Sequence, residues 1–283
     1  MAFILTGFTD EINKDFDIQM AGAKKYGLTH IEMRGIDGIS VGEFDKEKIK
    51  PYKKKLDENG IKVSAIGSPM GKIRVNEDFD SHLVAFKNML DVAQAVEAKY
   101  IRLFSFYPPE IGEDPTPYRD EVLRRMNEFV KAAKGTGVML LHENEKNIYG
   151  DIADRCVDLV ESIGSDNLRV IFDPANFVHC GEETFPSAFN KLKNYIEYMH
   201  IKDAKRDGGN YPSGQGEARV KDILQALKDM GYNGFLSLEP HLSRFEGLAS
   251  LEQDVKYKNL SDDGERAFAL ALNSLKAILS ELK

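Results

Sequence analysis

The chain has 283 residues, of which 42% are hydrophobic and 30% charged, and its formal net charge at pH 7 is −8. This length suits either two small domains or one α/β barrel, and the composition is typical of a globular protein with a substantial core. The acidic balance argues against a broad surface for nucleic-acid phosphates, which proteins bind mainly through lysine and arginine.

Short apolar strands alternate with amphipathic helices from one end of the chain to the other. Strands are predicted at residues 2–8, 29–35, 61–69, 99–106, 137–144, 167–173, 195–203 and 234–240. Helices are predicted at residues 15–27, 45–59, 79–97, 118–134, 151–163, 184–193, 221–230 and 262–282. This alternation implies a parallel sheet, and its number of repeats implies closure into a (β/α)8 TIM barrel.

The rival fold is an open, doubly wound sheet. Such a sheet normally carries a glycine-rich phosphate turn after the first strand, whereas this chain reads GFTDEIN there. No linker or low-complexity segment divides the sequence. We therefore expect a single barrel domain over residues 1–283.

The chain carries no pattern for export, membrane insertion or cysteine chemistry. The start, MAFILTGFTDE, lacks the basic residues and long apolar run of a signal peptide. No apolar run approaches the roughly 18 residues of a transmembrane helix, so we expect a cytoplasmic protein. The two cysteines, Cys156 and Cys180, form no CxxC or paired pattern and predict neither a disulfide framework nor a sulfur metal site.

Each of the last four strands ends in a side chain that can bind a divalent cation. The four are spaced by 30, 27 and 39 residues and are Glu143, Asp173, His200 and Glu239. One βα unit takes roughly 30 residues, so these side chains would lie on consecutive strands at the same end of each. One such carboxylate could equally cap a helix. Four together predict a metal centre for Mn²⁺ or Mg²⁺, with Zn²⁺ or Co²⁺ also able to bind.

Alternation along the strands would point these four side chains into the mouth of the barrel. Glu143 falls on the same strand face as Leu141, and His200 falls on the same face as Ile196 and Tyr198. The phase of each strand is an assumption, because a slip of one residue reverses it.

A metal centre of this kind supports chemistry next to a carbonyl group. Its open positions could take two adjacent oxygens of a sugar, and the ion would stabilise the oxygen of an enediolate. One carboxylate could remove the proton on the neighbouring carbon, and a second could return it. We predict Glu143 and Glu239 as this acid/base pair, in an isomerase or epimerase of a ketose or sugar phosphate.

The segments LHENE, FDPANF, YMHIKDAK and GQGEARVKDILQALKDMGYNGFLSLEP give the chain a family resemblance. Over nearly its whole length it resembles the xylose isomerase-like TIM-barrel superfamily of sugar phosphate isomerases and epimerases. The resemblance implies that Glu143, Asp173, His200 and Glu239 bind the metal and that the two glutamates are catalytic. Family epimerases often have a substrate-binding histidine three residues after the aspartate. Here that position is Asn176, which we expect to keep a binding role.

Four further side chains are candidates for substrate contact. Lys202 shares the face of His200, where its charge would either hold a substrate oxygen or pair with a nearby carboxylate. Arg102 and Ser68 could meet a phosphate, although solvated or paired roles fit them equally well. His179 follows the sixth strand and is either a substrate contact or a structural histidine.

Two further side chains and two long loops at the predicted barrel mouth are expected to have other roles. Glu32 and Arg34 share one face at the end of the second strand and are predicted to form internal ion pairs. Long loops at residues 204–218 and 240–260 follow the seventh and eighth strands, as lids, specificity loops or interfaces do in barrels. A homodimer or homotetramer through the 240–260 loop is one expectation.

Alternative functions remain open on the same scaffold. A lyase resembling inosose dehydratase would expel a β-hydroxyl group from the same enolate, and a non-catalytic barrel would only bind a sugar. An apurinic endonuclease needs a three-zinc cluster with extra histidines. The third and fourth strands here end in Gly67-Ser68-Pro69 and Ser105-Phe106, which argues against it. The expected partner is a small sugar, with no nucleic acid and no membrane.

Overall fold

The computed structural model describes residues 3–244 and 261–283, and its main feature is an eight-stranded parallel sheet. The strands are β1 (Ile4–Gly7), β2 (His30–Met33), β3 (Lys62–Ile66), β4 (Tyr100–Leu103), β5 (Met139–Glu143), β6 (Leu168–Phe172), β7 (Ile196–Ile201) and β8 (Phe235–Leu238). They pair in the order β1-β8-β7-β6-β5-β4-β3-β2, and β2 returns to pack beside β1. The sheet is thus a nearly closed barrel, which confirms the predicted TIM barrel.

Helices cover the outside of this barrel. They are α1 (Phe16–Lys25), α2 (Lys46–Asn59), α3 (Phe79–Ala95), α4 (Arg119–Ala133), α5 (Ala153–Ile163), α6 (Pro174–His179), α7 (Phe189–Leu192), α8 (Val220–Asp229) and α9 (Gly264–Glu281). The carboxylates of Asp15, Asp45 and Asp78 accept hydrogen bonds from the first N–H groups of α1, α2 and α3. In the part of the chain that the structure describes, no helix has the length and apolar character needed to cross a membrane.

The predicted helix over residues 184–193 is interrupted. The structure has a kinked turn at Thr184–Ala188, and α7 follows it. Phe185 inside this turn has an extended backbone, with φ −139° and ψ 131°. A residue that precedes a proline is disfavoured in the helical region, and Pro186 therefore accounts for the break.

Two apolar layers hold the barrel together. The larger lies between the strands and the helices, and the smaller fills the inside with Ala65, Tyr100, Leu141, Ile171 and Tyr198. Because Leu141 and Tyr198 point inward, Glu143 and His200 two residues further along do so as well. Ile196 was wrongly predicted to share this face. A register shift between β6 and β7 directs its side chain into the outer apolar layer instead.

The loop after β7 is anchored on a buried carboxylate. Asp203 Oδ1 accepts hydrogen bonds from the N–H groups of Ala204 and Ala218, and Oδ2 accepts from Gly214 and Gly216. A Cβ atom at Gly216 would lie 2.0 Å from Asp203 Oδ1, so the backbone approaches this closely only as glycine. Of the other long loop, residues 245–260 and the interface predicted there lie outside the described residues.

Candidate metal and substrate site

The four predicted ligand side chains converge at the C-terminal mouth of the barrel. Glu143, Asp173, His200 and Glu239 are at most 3% exposed, and one ligand atom of each lies within 4.8 Å of the other three. His200 Nδ1 is 3.0 Å from Glu143 Oε1, 3.2 Å from Glu239 Oε2 and 3.9 Å from Asp173 Oδ2. Ligands bound to one cation at about 2.1 Å lie roughly 3–4 Å apart. The cluster therefore has the dimensions of one coordination shell.

Asp173 presents one of its oxygens to this cluster. Its Oδ1 accepts the N–H of Asn176 at 3.0 Å and so caps α6, which begins with Pro174. No hydrogen bond reaches Oδ2, although Lys202 Nζ lies 3.1 Å away. Burial raises the pKa of Asp173 to about 7, and the charge of Lys202 opposes that shift. A buried carboxylate oxygen without a hydrogen-bond donor fits a bound cation.

His200 is held between the cluster and a carboxylate deeper in the barrel. Its Nε2 lies 3.2 Å from Glu32 Oε2, which also accepts hydrogen bonds from the hydroxyls of Tyr198 and Ser237. A proton on Nε2 that is donated to Glu32 leaves the Nδ1 lone pair facing the cluster, as metal-binding histidines require. Burial alone would lower the pKa of His200, but Glu143, Glu32 and Glu239 hold it well above its usual value.

Two arginines hold the glutamate oxygens that do not face His200 Nδ1. Arg102 Nη1 lies 3.0 Å from Glu143 Oε2 and 3.6 Å from Glu239 Oε1. Arg34 Nη1 lies 3.2 Å from Glu239 Oε1, and the same guanidinium pairs with Asp10 and Glu11. Each glutamate thus turns one oxygen to the cluster and the other to an arginine.

These cations keep both glutamates ionised. Burial would raise the pKa of Glu143, but His200 and Arg102 outweigh it and lower that pKa to about 2. Burial acts on Glu239 in the same direction, and Lys202, His200 and His241 outweigh it, so its pKa lies well below the usual value. Both side chains are therefore carboxylates at neutral pH, the form that binds a cation or accepts a proton.

Phe8 forms an apolar wall beside the cluster. Its ring lies 4.2 Å from the Arg34 guanidinium carbon, 5.2 Å from that of Arg102 and 5.4 Å from the His200 ring. A Cβ atom at Gly67 would lie 2.6 Å from Phe8 Cε1, so this ring position requires glycine at 67. The aromatic face and the two guanidinium planes support one another.

A cavity of about 810 Å³ adjoins this site. Its described lining includes Arg34 and Arg102, the two side chains that contact Glu239 and Glu143. Lys72 also lines the cavity and pairs with Glu145 at 3.4 Å. The cavity therefore meets the four-residue cluster through the arginine side chains.

The predicted substrate-binding residues lie at different distances from the cluster. Asn176 Nδ2 donates to the carbonyl of Asn144 and lies 3.4 Å from Glu143 Oε1. Ser68 is fully buried and donates to the main-chain oxygen of Arg102. His179 ends α6, half-buried, outside both the cluster and the described cavity lining.

Some neighbours of the cluster were predicted from the sequence, and others were not. Glu32 and Arg34 do form internal ion pairs, but their partners, His200 and Glu239, were not identified from the sequence. His241 Nε2 lies 3.5 Å from Glu239 Oε1 and was not predicted at all. Its position in the sequence, two residues after Glu239, could have indicated that it lies near the cluster.

Comparison with known proteins finds related barrels. The family model described as xylose isomerase-like TIM barrel matches residues 20–260. A D-psicose 3-epimerase of Enterocloster bolteae is 24% identical over 206 residues, which cover 69% of this chain and 67% of that protein. The structure of D-psicose 3-epimerase with D-tagatose from Clostridium cellulolyticum matches with a TM-score of 0.79 at 17% identity, over 99% of this chain and 100% of that one. The structure of the IOLI protein with a zinc atom matches with a TM-score of 0.77 at 17% identity, over 99% of both chains.

Proposed function

This chain belongs to the xylose isomerase-like TIM barrel family, and we propose that it is a metal-dependent epimerase or isomerase of a ketose or sugar phosphate. The observation that carries the proposal is the convergence of four ligand atoms within 4.8 Å at the mouth of the barrel. In TIM barrels the C-terminal ends of the strands are where the chemistry takes place. The relative named as a D-psicose 3-epimerase supports a ketose as the class of substrate.

The residues present fit a divalent ion. Glu143 Oε1, Asp173 Oδ2, His200 Nδ1 and Glu239 Oε2 would hold it, and Asp173 Oδ2 has no hydrogen-bond donor in the described structure. Three carboxylates and one imidazole favour Mn²⁺ or Mg²⁺, and Zn²⁺ or Co²⁺ would also fit. When bound, the ion would polarise the substrate carbonyl and stabilise negative charge on its oxygen.

Glu143 and Glu239 are the proposed acid/base pair. They come from strands on either side of β6 and β7, so they approach a sugar in the mouth from two directions. One carboxylate would remove the proton from the carbon next to the carbonyl and leave an enediolate. The other, which is ionised beforehand, would take up a proton from solvent and deliver it to that carbon from the opposite side, which inverts the centre, while the first carboxyl group would lose its proton to solvent. The arginine contacts fix the orientation of both carboxylates.

Among the two classes of substrate, we favour the unphosphorylated ketose. Arg34, Arg102, Lys72 and Lys202 stand around the mouth, and each already pairs with at least one carboxylate of this chain. At these four side chains, a phosphate would have to displace an existing pair to gain a charged contact.

The proposal is tested by solvent proton exchange. The protein is stripped with a chelator, reloaded with Mn²⁺ and incubated in D2O with ketoses and ketose phosphates, and the products are followed by NMR. We expect deuterium next to the carbonyl together with an epimer or isomer, and neither in the Asp173→Ala variant. Dehydration products would identify the lyase instead. A protein that binds no divalent ion and exchanges no substrate proton would contradict the proposal.

A further inference from the structure

Lys202 contacts two of the oxygens that would bind the ion. It follows β7, is 2% exposed, and places Nζ 3.1 Å from Asp173 Oδ2 and 3.2 Å from Glu239 Oε2. We propose that Lys202 competes with the divalent ion for these two oxygens and thereby sets the affinity of the centre. This inference rests on the proposed function, since it assumes that the cluster binds a metal.

The other cations at the mouth do not overlap with the ion in this way. Arg34 meets Glu239 Oε1 and Arg102 meets Glu143 Oε2, which are the oxygens directed away from His200 Nδ1. Lys202 instead meets the second oxygen of Glu239, Oε2, which lies 3.2 Å from His200 Nδ1. The arginines can therefore keep their contacts when an ion binds, whereas Lys202 shares two ligand atoms with it.

Charge repulsion turns this overlap into competition. An ammonium group and a dication that share two oxygens are only a few ångströms apart, and the four-residue cluster is buried from solvent that would screen them. When the ion binds, either the ammonium group moves away from Asp173 and Glu239, or the two positive charges repel each other at short distance. Either course weakens the ion's binding relative to the same carboxylates without the lysine.

Lys202 also supplies charge that the cluster needs. Glu143, Asp173 and Glu239 bring three carboxylates together, and leaving buried charges uncompensated is strongly destabilising. The competition model thus predicts opposite effects of removing the lysine. The protein becomes less stable when stripped of metal, and its metal binds more tightly.

The test compares Mn²⁺ affinity in Lys202→Met, Lys202→Gln and the wild-type chain, measured by competition with a fluorescent chelator. We expect Lys202→Met to bind about tenfold more tightly or better, because a contact-range positive charge is removed. Lys72→Met is the matched control, since it removes a lysine that pairs with Glu145 in the cavity wall. We expect its affinity to stay within about threefold of wild type.

Thermal melting provides a readout that does not depend on activity. Stripped Lys202→Met should melt below stripped wild type, and Mn²⁺ should raise its Tm by a larger step, because ligand stabilisation grows with affinity. Lys202→Gln keeps an amide donor without the charge, so it decides the question if Lys202→Met does not fold.

The outcomes separate this inference from the proposed function. If the wild-type protein binds no Mn²⁺, Mg²⁺, Zn²⁺ or Co²⁺, the proposed function fails. If it binds an ion and both Lys202 variants bind that ion with equal or lower affinity, the competition is overturned and the metal centre stands. A similar gain in Lys72→Met would also overturn it, since net charge in the cavity and not the shared oxygens would then set the affinity.

Discussion

The two halves of the barrel contribute to the site in different ways. The second half, β5 to β8, supplies the side chains whose atoms face a common centre, Glu143, Asp173, His200 and Glu239. The first half, β1 to β4, supplies the side chains that hold them, Phe8, Glu32, Arg34 and Arg102. The second half thus provides the four candidate ligands together with Lys202, and the first half adds the two arginines and the carboxylate that contact them.

This division follows from closure of the sheet. Glu32 contacts His200 across 168 residues of sequence, and Arg34 contacts Glu239 across 205. Metal-binding histidines commonly donate the N–H group of their second nitrogen to a carboxylate, and mutation of that carboxylate weakens metal binding. The first half should therefore be as necessary to the centre as the second, although it need not touch the ion.

The largest expected effect is loss of a ligand from the second half. Asp173→Ala removes the oxygen that no hydrogen bond satisfies, and we expect metal content and sugar epimerisation or isomerisation to fall to background. Elemental analysis and the D2O exchange assay measure this. Asp173→Asn is the control, because its side-chain oxygen can still cap α6 while the negative charge is gone. Full metal occupancy in Asp173→Ala would contradict the proposed role of the second half as the source of the metal ligands.

Arg102→Met should have the next largest effect, this time from the first half. It removes a buried cation from Glu143 and Glu239, and breaking a buried pair costs about 3–5 kcal/mol of unfolding free energy. Urea denaturation of the metal-free protein measures the loss. Lys48→Met is the control, because its pair with Asp45 is 3.8 Å long and exposed, and we expect a much smaller loss there. Equal losses in the two variants would mean that Arg102 has no special role.

Glu32→Gln tests the support of His200 directly. The amide keeps the shape of the side chain and can still form hydrogen bonds with Tyr198 and Ser237. It lacks the negative charge that stabilises the proton on His200 Nε2. We expect Mn²⁺ affinity to fall by about 10–100-fold with little change in Tm of the metal-free protein. An affinity equal to that of wild type would show that the first half only packs against the centre.

The pH dependence of metal binding tests the contact between Glu32 and His200 in a second way. The pKa of Asp173 is raised to about 7 and that of His200 well above its usual value, so protons occupy ligand atoms near neutrality. Affinity should rise with pH, by about tenfold between pH 6 and pH 7 for each proton released. Titrations at both pH values and proton release in weak buffer measure this. In Glu32→Gln, where one carboxylate near His200 is gone, the rise should be shallower, and a falling affinity would contradict the assignment.

The sequence predicted the second half of the site better than the first. Each of Glu143, Asp173, His200 and Glu239 stands at the end of its own apolar strand, so the local pattern alone was enough to predict that these side chains lie together. The partners of Glu32 and Arg34 are set by barrel closure, which no local pattern contains. For Arg102 the sequence left a phosphate contact and a solvated or paired role equally open, and in the structure it pairs with Glu143 and Glu239.

The details of secondary structure show the same limit. Strand boundaries followed from apolar runs, and the phase assumed for Leu141 and Tyr198 was right. Ile196 was misplaced because the register shift depends on pairing between β6 and β7. The break before α7 was within reach, since Pro186 in the predicted helix disfavours a helical residue before it.

The clamp on Asp203 has a consequence for how this barrel can diversify. The carboxylate grips the following loop through main-chain N–H groups, which nearly every amino acid provides, and Gly216 is the position with no room for a side chain. The outer side chains of the loop can therefore change in evolution while its stem, and Lys202 beside it, stay in register.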